Sequence, residues 1–177
     1  MTNRMPQYFG VAATTEPDQI TSLCAHLELL ELPEGIKLMN GPLVSRKTLQ
    51  GLDPSNPSQY PPLNRIEALL SDDPGVFNVI HFNSRDPRLA IQLVQIARLS
   101  DLVQGIQLNI IWPNISELQQ FKWVFPNVYL ILQLSRHCLE SVGGSWEEAA
   151  DCLAPYRELI DCVLFDPSGG ENRDFAT

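Results

Sequence analysis

Polar residues recur at one depth along this chain, each within or at the end of an apolar run. His81 and Asn83 lie two apart at the end of Val76–Asn83. Gln107 and Asn109 do so in Gly105–Trp112, Gln133 and Ser135 in Val128–Ser135, and Asp166 closes Cys162–Asp166. Strand side chains alternate between faces, so residues two apart share one. If these runs are parallel strands, an imidazole, several amides and one carboxylate converge on a single mouth. Amides both donate and accept, which suits the hydroxyls and amides of a polar small ligand. Asp166 is the group fit for proton transfer, and His81, Asn83, Gln107, Asn109 and Gln133 are the candidate substrate-orienting set. Any one of them could simply be hydrogen-bonded within a core, but recurrence on four strands favours a site. Asn40, Ser45 and Lys47, after the second run, either add to this mouth or belong to a solvated loop. Trp112 either walls the pocket or caps the core.

The elements that must hold these residues alternate regularly. Strands are expected at Tyr8–Thr14, Ile36–Ser45, Val76–Asn83, Gly105–Trp112, Val128–Ser135 and Cys162–Asp166. Between them, helical periodicity marks Pro17–Leu30, where Ile20, Leu23, Cys24 and Leu27 form one face. Further helices are expected at Asn64–Leu70, from Asp86-Pro87 with Asp86 as N-cap, at Asn114–Phe125 and at Ser145–Leu159. Runs such as Val128-Tyr129-Leu130-Ile131-Leu132 are apolar throughout, as parallel strands covered on both faces are. The stretch 52–62 is rich in Pro, so it reads as a long loop and a potential lid over the mouth. The first strand ends Gly10-Val11-Ala12-Ala13-Thr14-Thr15, without the Gly-rich turn of a dinucleotide fold. A TIM-type (β/α) barrel, or a six-unit partial version with parallel strands, is therefore expected over residues 1–177 as one domain. Such barrels carry their active sites at the C-terminal ends of the strands, where the polar set lies.

Composition narrows the function. The chain has 177 residues with 12 Lys+Arg against 21 Asp+Glu, a net charge of −9 that disfavours nucleic acid as a partner. It holds no apolar run of membrane-spanning length, and its N-terminus has no signal-peptide core, so a cytoplasmic protein with no membrane partner is expected. Cys24, Cys138, Cys152 and Cys162 are scattered, and no Cys-x-x-Cys occurs, so small buried thiols are expected rather than a metal site. No cofactor is called for.

Two short motifs carry a resemblance. Val163-Leu164-Phe165-Asp166-Pro167-Ser168-Gly169-Gly170-Glu171-Asn172-Arg173-Asp174-Phe175 resembles the sixth-strand region of phosphoribosylanthranilate isomerases, where an apolar strand ends in Asp before Gly-Gly-x-Gly-x-x-Phe. Asn172 stands at the third Gly. Ile106-Gln107-Leu108-Asn109 resembles the family's fourth strand, with Asn109 where the family has His. The resemblance implies an isomerase of the aldose–ketose type acting on a small phosphorylated sugar derivative, with Asp166 as general acid and Gly169 and Gly170 in the substrate-binding turn. It also implies a Cys general base on the first strand, yet Gly10–Thr15 contains none. A non-catalytic binding or structural relative is the alternative. Six of the eight βα units of such a barrel are present. The remaining edges would be covered by further chain or by a partner, a homo-oligomer being one such arrangement.

Overall fold

The computed structural model describes residues 5–27 and 33–166. Six parallel strands follow one another across the sheet in chain order: β1 (Gln7–Ala12), β2 (Ile36–Gly41, resuming as Leu43–Ser45), β3 (Val76–Asn83), β4 (Gly105–Leu108), β5 (Tyr129–Ser135) and β6 (Cys162–Asp166). The two pieces of β2 keep the same register against β3, Asn40 opposite Asn78 and Leu43 opposite His81. The break falls at Pro42, which has no amide hydrogen to give the ladder but still accepts from the His81 amide at 3.0 Å.

A sequential order without reversal decides the architecture. Parallel crossovers are right-handed, so a chain always moving to the same side stacks its helices on one face of the sheet. The other face is left concave, and the result is a half-barrel of the TIM type. Its curl is visible in the core, where Tyr8 of β1 and Cys162 and Leu164 of β6 pack on one inner cluster formed by Met39, Phe77, Val79 and Ile131. Phe77 meets the Tyr8 ring at 5.5 Å and the Tyr129 ring at 5.7 Å.

The larger core lies on the convex face. Ile80, Phe82, Ile106, Leu108, Leu130 and Leu132 of the strands pack there with Leu93 and Ile96 of α3 (Leu89–Ala97) and Leu118 and Phe121 of α4 (Ile115–Val124). Burial of one such side chain contributes about 1.5–3 kcal/mol, so this layer dominates the fold's stability.

Several boundaries differ from expectation, each for a local reason. Helix α3 starts at Leu89, not at Asp86-Pro87, and Asp86 does not cap it. The Asp86 carboxylate instead takes Arg46 at 2.9 Å and Arg88 at 3.1 Å, while Glu117 of α4 accepts the Ala90 amide at 2.8 Å. Strand β4 ends at Leu108, four residues early, and the chain bends through Ile110–Trp112, where Trp112 takes a positive φ of 43° that no strand admits. Asn64–Leu70 forms two 3-10 turns, Leu63–Arg65 and Glu67–Leu69, rather than a helix. The first helix, α1, spans Pro17–Leu27, and residues 28–30 of its expected range lie outside the described residues. A short helix that periodicity missed, α5 (Arg136–Ser141), follows β5 directly, capped by Ser135. The last expected helix is α6 (Trp146–Leu153) followed by a 3-10 turn, with Ser145 accepting the Glu148 amide. Of the four free cysteines only Cys138 is buried, and the others are half-buried. Among the described residues no helix is long and apolar enough to cross a membrane.

Candidate functional site

The concave face divides along the strand direction. Its N-terminal half is filled by the Met39–Phe77–Val79–Ile131 cluster. Its C-terminal half opens into a cleft of about 1330 Å³ whose lining includes His81, Asn83, Gln107, Asn109, Gln133 and Asp166. Every candidate side chain within the described residues therefore faces the same space. Gly169 and Gly170 lie outside the described residues.

Three strands are joined by amides across the cleft floor. Gln107 Nε2 donates to Asn109 Oδ1 at 3.0 Å and to Gln133 Oε1 at 3.2 Å, and Gln133 Nε2 donates to Asp166 Oδ2 at 2.5 Å. Asp166 Oδ2 accepts this bond, so Asp166 turns the Gln133 NH2 toward itself. That leaves Gln133 Oε1 facing β4, which turns the Gln107 NH2 toward β5. The chain of amides thus has a direction, and its free end is Gln107 Oε1. This oxygen is buried and has no hydrogen-bond partner among the protein atoms.

His81 stands beside it. It is the register partner of Gln107, is 6% exposed, and its Nε2 likewise has no hydrogen-bond partner. Burial disfavours the charged imidazolium and pulls its pKa down to about 4, so the ring is neutral at physiological pH. The ring fits because β2 carries Gly41 beside its tip. A Cβ at Gly41 would come 2.6 Å from His81 Nε2.

Other parts of the lining were not foreseen. Tyr8, Gly10 and Ala12 of β1 face the cleft, as do Arg85 and His137. The clue to the His81 setting was Gly41-Pro42 inside a strand, since an in-strand Gly marks a close approach. The loop 52–62 brings Gln59 and Tyr60 to the rim, consistent with its expected place over the mouth. Ala13, with φ 61°, and Trp112 are the only non-glycine residues of positive φ among the described residues, and both border this cleft. Left-handed backbone costs an L-residue about 1–2 kcal/mol and concentrates where geometry serves a site.

The three residues expected after the second strand do other work. Asn40 points to the convex side, where its Nδ2 donates to Leu69 O at 2.7 Å and to Asn78 Oδ1 at 3.0 Å. Ser45 caps the short helix α2 (Arg46–Leu49), and Lys47 Nζ donates to Ser55 Oγ at 3.2 Å. Trp112 does both of its expected jobs, lining the cleft while packing on the convex core, with Nε1 held by Ser141 Oγ at 2.8 Å. No group of three or more metal-ligating side chains occurs among the described residues.

No model of a known protein family matches the chain, and no curated protein matches it.

Proposed function

We propose that this half-barrel binds a small phosphorylated sugar derivative in its concave cleft and acts on it as an isomerase, similar to the phosphoribosylanthranilate isomerases. The observation that carries the reading is the Asp166–Gln133–Gln107 chain at the C-terminal ends of β6, β5 and β4. That is where barrels of this type do chemistry, and Asp166 and Gln107 are the residues on which the resemblance rests.

In the aldose-to-ketose rearrangement a base takes a proton from C2′ of the sugar while an acid gives one to the ring oxygen; the cleft-facing β1 residues Tyr8, Gly10 and Ala12 supply no such base. Asp166 would deliver the proton to the ring oxygen, with Gln133 holding the carboxyl in place. Gln107, Asn109 and Asn83 would orient hydroxyls. Arg85, an exposed cation on the rim, would attract the phosphate.

One observation favours a second reading, a non-catalytic binder on the same scaffold. The β1 residues facing the cleft are Tyr8, Gly10 and Ala12, and none is a base at neutral pH; burial raises the Tyr8 pKa further. His81, held neutral and far below its ordinary pKa, is a weak base, and it lies three strands from Asp166.

Thermal-shift titration with ribose 5-phosphate and N-aryl ribosylamine 5-phosphate, on the native protein and Asp166→Asn, tests both readings. Stabilisation of both proteins, with turnover of the ribosylamine lost only in Asp166→Asn, is the expected result. Stabilisation without turnover in either supports the binder. No stabilisation of the native protein overturns both.

A further inference from the structure

We propose that His81 and Gln107 form a subsite on the cleft floor that recognises a neutral hydroxyl group of a sugar or polyol. The inference deepens the reading of the cleft as a sugar-phosphate site and rests on it for the ligand class.

The geometry makes this pair unlike the other polar residues of the concave face. They are direct partners on neighbouring strands β3 and β4, are 6% and 3% exposed, and both line the cleft. Each ends in a buried polar atom without a hydrogen-bond partner, His81 Nε2 and Gln107 Oε1. A floor with only a structural role would be more stable with two apolar side chains there, because an unsatisfied buried polar atom bears its full desolvation cost. Gly41 removes the side chain that would otherwise press on the imidazole tip.

The ligand chemistry follows from what the two atoms can do. The direction of the amide chain leaves Gln107 Oε1 as an acceptor, because its NH2 is committed to Asn109 and Gln133. The neutral imidazole offers one N–H and carries no charge. Hydroxyls suit both atoms, one donating to Gln107 Oε1 and one accepting from the Nε2–H tautomer of His81. A phosphate or carboxylate has only acceptors to offer. It would face Gln107 Oε1 without a proton between them and find no cation, so the subsite excludes anions, and the ligand's phosphate belongs at the rim.

The test is 15N NMR of the histidine rings, with the His81 signals identified by their loss in His81→Leu. The native protein is titrated separately with ribose, ribose 5-phosphate and inorganic phosphate. Both sugars should move the His81 ring nitrogens, which should show the Nε2–H pattern, and inorganic phosphate should not. Gln107→Met, which keeps the length of the side chain but loses its acceptor, should weaken the ribose 5-phosphate response by about tenfold in Kd, the worth of one hydrogen bond. His81→Leu should melt no lower than the native protein. If neither sugar moves the ring signals, or inorganic phosphate moves them as much as ribose 5-phosphate does, the subsite is refuted. If ribose moves them and the 5-phosphate binds no more tightly than ribose, the subsite stands and the phosphorylated-sugar reading falls.

Discussion

Two clusters of buried amides sit on opposite faces of the same sheet, and they end differently. On the convex face Asn78 is spent on the main chain. Its Nδ2 donates to Ser71 O at 2.7 Å and its Oδ1 accepts from Ser71 N at 3.1 Å, which fastens the loop entering β3. Asn40 completes that cluster by donating to Leu69 O, leaving only its own Oδ1 without a partner. On the concave face Gln107 and Gln133 bond side chain to side chain, end on a carboxylate and leave Gln107 Oε1 unpartnered at the cleft floor. Amides that fasten backbone build the fold. Amides that bond one another beside the cleft are the ones our proposal offers to a ligand.

That contrast predicts unequal costs on substitution. Asn78→Leu strands the amide and carbonyl of Ser71 and should destabilise the protein by about 3 kcal/mol, read by urea denaturation, since each buried group left unsatisfied costs about 1–3 kcal/mol. Gln107→Leu removes an already unpartnered acceptor along with the donor to Gln133 Oε1, so it should cost less, about 1 kcal/mol, while weakening ligand binding about tenfold. Equal losses at both positions would erase the distinction between the faces.

The next effect is on pH dependence. The folded-state pKa of His81 lies near 4, below its ordinary 6.5, so between those values the unfolded chain holds the extra proton. Stability should therefore fall as pH drops from about 6.5 to about 4 and level off below, by on the order of 3 kcal/mol from this residue. His81→Leu should flatten that part of the profile. Asp86 adds a separate window: hydrogen bonds from Arg88 and the charge of Arg46 hold it down to about 2, so its contribution persists above its ordinary 3.8 and is lost as pH falls toward 2. Denaturation midpoints measured from pH 7 down to pH 2 resolve the two.

The smallest effect concerns the strained rim. Ala13→Gly relieves a φ of 61° and should stabilise by about 0.5 kcal/mol, the strain released exceeding the entropy that Gly adds to the unfolded chain. A loss of stability would mean that this backbone carries no strain.

The alternation of strands and helices was legible in the sequence because each strand here is covered on at least one face and reads as an apolar run. The side of each strand was legible too, since Phe82, Leu108 and Leu132 reached the convex core while His81, Gln107 and Gln133 faced the cleft. Asn40 stayed open between the mouth and a solvated loop, and its place on the convex side was not legible because Gly41 and Pro42 obscure whether the alternation continues through the interruption. The helix start at Asp86-Pro87 failed for a different reason. Its local signal was sound, but two arginines distant or adjacent in sequence claimed the carboxylate. Nor could any local pattern show that Gln107 Oε1 is left over, because this depends on a directional chain running across three strands to Asp166.

The most direct test follows the side-chain amide resonances during a titration with ribose 5-phosphate. The account predicts that the NH2 signals of Gln107 and Gln133 move together, saturating at one Kd, while those of Asn40 and Asn78 stay fixed. Movement of the convex pair with the concave pair unmoved, or no movement in either, would contradict it.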